Sequence, residues 1–229
     1  MTKTERQRRN EARKTVRLSK TSKLGTLSWS LQAGATCPGS FKPDGSGDLV
    51  DACTGCYAKG GNYRYPNVRE PREFNRRDWR RHDWVSRMTD ALIGETHFRW
   101  FDSGDVYSAE LARKIEQVIK LTPWCDHWIP TRMHKFSKTE RVLRRIEKLP
   151  NAIVRRSSDS VQGEFNAKHG STIYPHDAEA PADTFACPAY SNEGKCGDCR
   201  ACYDPAVKVI AYKAHGRSMT SLVNRMRAA

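Results

Sequence analysis

The chain has no long hydrophobic run. Its apolar stretches are a few residues long, far short of the ~20 that cross a bilayer, and this argues against a membrane-spanning role. The first residues are basic and polar with no apolar segment behind them, so no secretory signal is expected. G-x-S-x-G, a P-loop and a dinucleotide fingerprint are all missing, which removes the local signatures of serine hydrolases, NTPases and nicotinamide enzymes. Acidic residues are also scarce, 26 against 40 Lys and Arg, for a net charge of +14. Hydrophobic content is only 38%, yet six Trp, eight Tyr and seven Phe supply material for one core in a chain of 229 residues.

Without a signal or a span, residence in the cytoplasm is expected. Thiols stay reduced there, so eight Cys point to metal or catalysis rather than to disulfides. Four of them lie within sixteen residues: Cys187, Cys196, Cys199 and Cys202. Two residues between thiols let one turn bring both sulfurs to a metal, and four thiolates close a site. Three Cys at every third position resemble iron–sulfur runs more than paired zinc hooks. A four-iron cluster is therefore expected over structural zinc, and either one can serve purely to staple a small C-terminal module. His215 can replace one Cys ligand or stand as an ordinary histidine. Cys37, Cys53 and Cys56 form a second group, and three ligands leave a position open for chemistry. Cys125 is unassigned; it reads as a free buried thiol, or as the fourth ligand that would close the second group.

Positive charge is clustered. Residues 1–25 hold nine Lys/Arg against two Glu, residues 64–87 eight Arg against four acids, and residues 132–156 nine basic residues against two Glu. Clusters of this kind attract phosphate backbones, and Arg76, Arg77, Arg80 and Arg81 are the candidate contacts. A basic solvated surface is the plainer reading of the same charges.

Periodicity divides the chain into three. Residues 1–25 show no apolar period and read as a flexible basic arm. Residues 26–180 alternate strand and helix: strands are expected at 26–32, 97–102, 127–131 and 151–155. Helices are expected at 72–92, after an N-cap at Ser108, and after a Ser137–Glu140 capping box. Residues 181–229 read as a Cys-rich metal module with a strand at 207–212 and a short tail. The alternation predicts an α/β fold with a parallel sheet, which places chemistry at strand C-termini. The candidates do fall there: Cys37 to Cys56, then Asp102, Ser103, Gly104 and Asp105, then Thr131 and Arg132 through His134, then Arg155 to Asp159. The two carboxylates around a Ser-Gly turn can hold an amine or hydroxyl, or simply cap a helix. Thr131, Arg132, His134 and Lys135 can hold a phosphate or carboxylate, or form a solvated loop.

Thr36-Cys-Pro-Gly39, Cys53-Thr-Gly-Cys56-Tyr57-Ala58, Arg99-Trp-Phe-Asp-Ser-Gly-Asp105, Trp128-Ile-Pro-Thr-Arg132 and Cys196-Gly-Asp-Cys-Arg-Ala-Cys202 together resemble the bacteriophage gene product 88 family over most of residues 26–215. That family is remotely similar to radical S-adenosylmethionine enzymes. The similarity implies a partial (βα) barrel, a four-iron cluster on Cys37, Cys53 and Cys56, and S-adenosylmethionine as ligand. Tyr57 would lie against its adenine, and Ser103, Gly104 and Asp105 would stand at its amine. The four-Cys group would hold an auxiliary cluster. The fifteen residues between Cys37 and Cys53 depart from the usual spacing. The implied activity is radical chemistry on nucleic acid or a nucleotide, in host cytoplasm. The rival expectation is a zinc protein that binds nucleic acid. A weaker similarity to transglycosylase base-exchange enzymes would make Asp102 the base reader and put zinc on Cys196, Cys199, Cys202 and His215.

Overall fold

Alternation in His97-Phe-Arg-Trp100 sends Phe98 and Trp100 to one side and His97 and Arg99 to the other. In the computed structural model, which describes residues 1–228, this alternation divides the molecule. The elements in chain order are α1 (Lys3–Thr15), β1 (Ser19–Lys20), β2 (Leu27–Trp29), α2 (Asp51–Thr54), α3 (Pro66–Asp78), α4 (Trp84–Ala91), β3 (His97–Trp100), α5 (Ala109–Leu121), β4 (Asp126–Thr131), α6 (Ser137–Ile146), β5 (Ala152–Arg156), β6 (Ser171–Tyr174), β7 (Phe185–Ala186), β8 (Ile210–Lys213) and α7 (Arg217–Ala228).

The first five strands form one sheet in the order β1-β2-β3-β4-β5. β1 is antiparallel to β2, and the other pairs are parallel, with Leu27 opposite Phe98, His97 opposite Asp126, and His127 opposite Ala152. Strand order follows chain order, so each crossover steps the same way and lays its helix on the same face. That face is the core. Trp29, Phe98, Trp100, Ile129 and Val154 pack there against Met88, Leu111, Ile115, Val142 and Ile146 of the helices. Ser108 caps α5 as expected, its hydroxyl accepting from the Leu111 N–H at 3.2 Å.

Ser28, Arg99, Trp128 and Arg155 point to the opposite face, which the C-terminal segment covers. A single parallel bridge, Ser157 to Ser171, leads from β5 into a second sheet of order β6-β8-β7, also parallel. Among the described residues no pairing joins the outer edges. The expected partial barrel is therefore seen only as two open sheets, parallel apart from β1, joined by a bridge.

Several elements differ from the sequence reading. Residues 3–15 are helical, not a flexible arm. Thr2 and Glu5 make a reciprocal capping box, Ala12 and Val16 are buried in the main core, and Arg13 pairs with Glu95 at 2.6 Å while donating to the Ala91 carbonyl. Those partners lie some eighty residues away, where no local period reveals them. The helix expected over 72–92 is two helices, broken at Trp79–Asp83. α6 begins at Ser137 with Phe136 in the cap position and no side-chain cap, so the capping box does not form there. The expected short tail is the helix α7, whose Met219, Leu222 and Val223 pack with Ala52 of α2. No helix among the described residues is long and apolar enough to cross a membrane.

Candidate functional site at the strand ends

Four parallel strands end on one side of the first sheet, and the loops that follow them meet. After β3 the chain turns sharply: buried Phe101 has φ +58°, a conformation costly for a bulky residue. Gly104 follows at φ +75°, and a Cβ there would lie 2.6 Å from both Leu31 Cβ and Thr36 Oγ1. Glycine at 104 thus lets the Asp102–Asp105 turn press directly against the loop that begins with Thr36-Cys37. Gly39 does the same against the β4 end, where a Cβ would stand 2.5 Å from the Arg132 carbonyl oxygen.

The turn is held by its own side chains. Asp105 is buried and accepts from the Thr131 hydroxyl at 2.6 Å, the Arg132 N–H at 2.8 Å and the Val106 N–H at 2.7 Å. Burial pushes its carboxyl above the usual range, with those three donors opposing. Ser103 donates to the Leu31 carbonyl at 2.7 Å and accepts from Arg72 Nε at 2.6 Å. Asp102 accepts from the Tyr63 hydroxyl at 2.7 Å and from Arg72 at 3.2 Å, and its backbone carbonyl accepts from the Tyr57 hydroxyl at 2.8 Å. Ser103 and Asp105 therefore hold strand ends together, and both of their side chains are engaged within the protein. Thr131 also accepts from the Met133 N–H.

Cys37, Cys53 and Cys56 are each half-buried and free. Burial pushes the Cys37 thiol up to about 12, and the charge of Asp105 and the nearness of Cys53 and Cys56 add to the shift. Cys53 is raised by burial while Arg132 pulls it back. Arg132 and Lys135 also flank Asp159, at 3.3 and 2.6 Å, and Lys135 donates to the Gly39 carbonyl at 2.9 Å. The Asp159 carbonyl in turn accepts from the Ala52 N–H at 2.9 Å. One strand-end cluster thus contains the three thiols, Asp105, a cation pair and Asp159.

Arg99 reaches across the opposite face. It stacks 4.6 Å over Trp128 and stands 3.5 Å from Asp102. Burial alone would lower its pKa, but Tyr57, Asp102, Tyr212 and Cys202 around it outweigh burial and raise it. Its Nε is buried without a partner. Beyond it lie the other four thiols, with Cys202 Sγ 3.5 Å from the Tyr212 hydroxyl. Burial pushes Cys202 up to about 11. Cys187 and Cys196 are raised by burial, and each is raised further by Cys199. Arg155 fixes this loop: it is buried, has no carboxylate partner among the described residues, and donates to the carbonyls of Ala201, Cys202, Asp204, Val207 and Lys208.

The seven candidate metal-binding Cys lie in two regions, Cys37, Cys53 and Cys56 at the strand ends and the other four beyond Arg99. Among the described residues no three His, Cys, Asp or Glu side chains converge closely enough to hold one metal ion. The C-terminal segment is a Cys-rich covering on the second face of the sheet. Cys125 is buried in the main core with its thiol pushed up to about 12 by burial, as a free structural Cys would be. His215 contacts Lys23 at 2.8 Å and the Lys213 carbonyl. Arg76, Arg77 and Arg80 are exposed, with Arg80 stacked on Trp79. Arg81 instead pairs with Asp78 and Asp83 at 2.6 and 2.9 Å, which makes it a link between α3 and α4. Sequence reasoning missed Tyr63, Arg72 and Arg99, and it flagged Arg155 to Asp159 only as the end of the fourth strand, without a role for either residue. For Arg99 the signal was available, since a cation alternating with Phe98 and Trp100 cannot share their apolar face.

These features define a class: an α/β protein with a parallel sheet wound in one direction and a cysteine-bearing loop at its strand C-termini. Residues 3–205 match the family described as gene product 88, and the chain belongs to that family. No curated protein and no solved structure matches it.

Proposed function

We propose that this is an iron–sulfur enzyme of the radical S-adenosylmethionine type acting on nucleic acid or a nucleotide. Cys37, Cys53 and Cys56 would hold the reactive four-iron cluster, and Cys187, Cys196, Cys199 and Cys202 a second one. One observation carries the reading: three half-buried thiols near one another lie where parallel strands end, Cys37 close to Asp105 and Cys53 close to Arg132 and Asp159. The donor set fits such a group. A tetrahedral zinc needs its donors within about 2.3 Å of one point, whereas a four-iron cluster takes each thiolate on a different iron, a looser demand on loop geometry.

When bound, a cluster with one open iron supplies an electron to a ligand chelated there. The protein's own residues would do the rest. Asp105 positions the Thr131–Arg132 corner beside the thiols and leaves Arg132 and Lys135 as the local cations. Arg99, whose Nε is buried without a partner, would take a carboxylate or phosphate. Tyr57 would offer a ring face at the mouth, its hydroxyl fixed on the Asp102 carbonyl.

The test is anaerobic purification with iron, sulfide and zinc analysis and Mössbauer spectroscopy. S-adenosylmethionine is then incubated under reducing conditions, with 5′-deoxyadenosine as the readout. Iron and sulfide for two clusters, falling to one in Cys53→Ala with the fold intact, is the expected result. Zinc without sulfide would overturn the proposal, as would loaded protein that leaves S-adenosylmethionine whole.

A further inference from the structure

The segment after Cys56 reads Tyr57-Ala-Lys-Gly-Gly-Asn-Tyr-Arg-Tyr65, three tyrosines interleaved with two cations. It folds as two consecutive 3-10 turns, Tyr57–Lys59 and Gly61–Arg64, running straight into α3 at Pro66. Tyr57 is 54% exposed and Tyr65 60% exposed. Single exposed aromatics are ordinary; Tyr57 differs in how it is held. The Tyr57 hydroxyl is pinned on the Asp102 carbonyl, and its ring meets Tyr63 edge-on at 5.5 Å. Tyr63 is pinned in turn by the Asp102 carboxylate and lies under the Arg72 guanidinium at 4.8 Å. Tyr57 and Tyr63 are thus fixed from inside the protein, and Tyr65 adds a second exposed ring at the start of α3.

The charge around it is unspent. Lys59, Arg64 and Arg69 are exposed and make no ion pair or side-chain hydrogen bond among the described residues. Arg76, two turns along α3 from Arg69, extends the same side of the helix by about 10 Å, although it faces Glu73 at 3.8 Å. Rigid, exposed aromatic rings beside unpaired cations are what stacks unpaired bases and tracks their phosphates. A rigid platform also loses little entropy when it binds. Duplex fits poorly here, because its bases are already stacked on each other.

We infer that the ledge formed by Tyr57, Lys59, Arg64, Tyr65 and Arg69 binds a single-stranded nucleic acid, with bases on the tyrosines and phosphates on the cations. The inference rests on the proposed function only in taking the strand-end mouth beside Cys56 as the working site.

Fluorescence anisotropy of the full chain with labelled oligo-dT, oligo-U and a DNA duplex, across a salt series, tests it. The expected result is tighter binding of a single strand than of duplex. Tyr65→Ala should raise Kd about fivefold or more, and Tyr65→Phe should leave it near the parent value. Lys59→Ala combined with Arg64→Ala should flatten the salt dependence. A preference between dT and U identifies DNA or RNA as the natural strand. No binding at low salt, duplex bound as tightly as single strand, or Tyr65→Ala indistinguishable from the parent would each overturn the inference. Circular dichroism confirms folding of each variant, and iron analysis of the same samples keeps the readings apart. Normal iron with failed binding sinks the ledge alone, and intact binding without iron sinks the cluster alone.

Discussion

Gly104→Ala probes whether the Asp102–Asp105 turn is as closely packed as its geometry implies. Two costs add. A Cβ at φ +75° costs about 1–2 kcal/mol in the left-handed region, of which about 0.4–1 is offset by the less flexible unfolded chain. Overlap with Leu31 and Thr36, both at 2.6 Å, adds about 1–3 kcal/mol, because both neighbours lie in a packed interior. The net loss is about 2–4 kcal/mol. At about 2–4 °C per kcal/mol for a chain of this size, Tm should fall by roughly 4–16 °C. Gly47→Ala is the control: its φ is +80°, nothing lies within 4 Å of the added Cβ, and only the conformational cost remains, about 1 kcal/mol. Thermal unfolding of both variants by circular dichroism separates the two costs. Equal losses in Gly104→Ala and Gly47→Ala would refute the claim that the turn is pressed against the Cys37 loop.

Asp105→Asn replaces an acceptor by an N–H facing either the Arg132 N–H or the Thr131 hydroxyl, and should cost about 1–3 kcal/mol in a urea titration; an unchanged midpoint would show that these contacts do not hold the strand ends. Arg155→Met strands up to five carbonyls of the 201–208 loop, each buried acceptor left unpaired costing about 1–3 kcal/mol, and should bring faster tryptic cleavage at Arg200 and Lys208. Cleavage at the parent rate would mean the loop is held by other contacts. His127 is buried, accepts from Trp100 Nε1 at 3.2 Å and lies 2.8 Å from the Thr122 hydroxyl, and burial holds its pKa down at about 3. Its contribution is therefore full above about 6.5, the unfolded value, and is lost as pH falls toward 3, since the unfolded chain takes up the proton first. Stability measured from pH 7 to 4 should fall less steeply in His127→Gln than in the parent, and parallel profiles would remove His127 as the cause.

The sequence by itself determined the parallel α/β core, because Trp29, Phe98, Trp100, Ile129 and Val154 alternate at period two and the helices between them at period 3.6. It also determined the two cysteine groups and the strand ends on which Cys37 to Cys56, Asp102 to Asp105, and Thr131 to Arg132 fall, since thiol spacing and strand termination are local properties. The tertiary structure decided everything that depends on partners distant in the chain. α1 is ordered because Arg13 finds Glu95 and Ala12 finds the core. Arg81 turns from a candidate phosphate contact into a link because Asp78 and Asp83 enclose it. Ser103 and Asp105 become braces because Leu31, Thr131 and Arg132 arrive from other strands. Arg99 and Arg155 acquire their roles only when the C-terminal loop covers the second face of the sheet. A buried guanidinium needs acceptors on every side, and here they come from residues up to 53 positions away, so no local pattern encodes them.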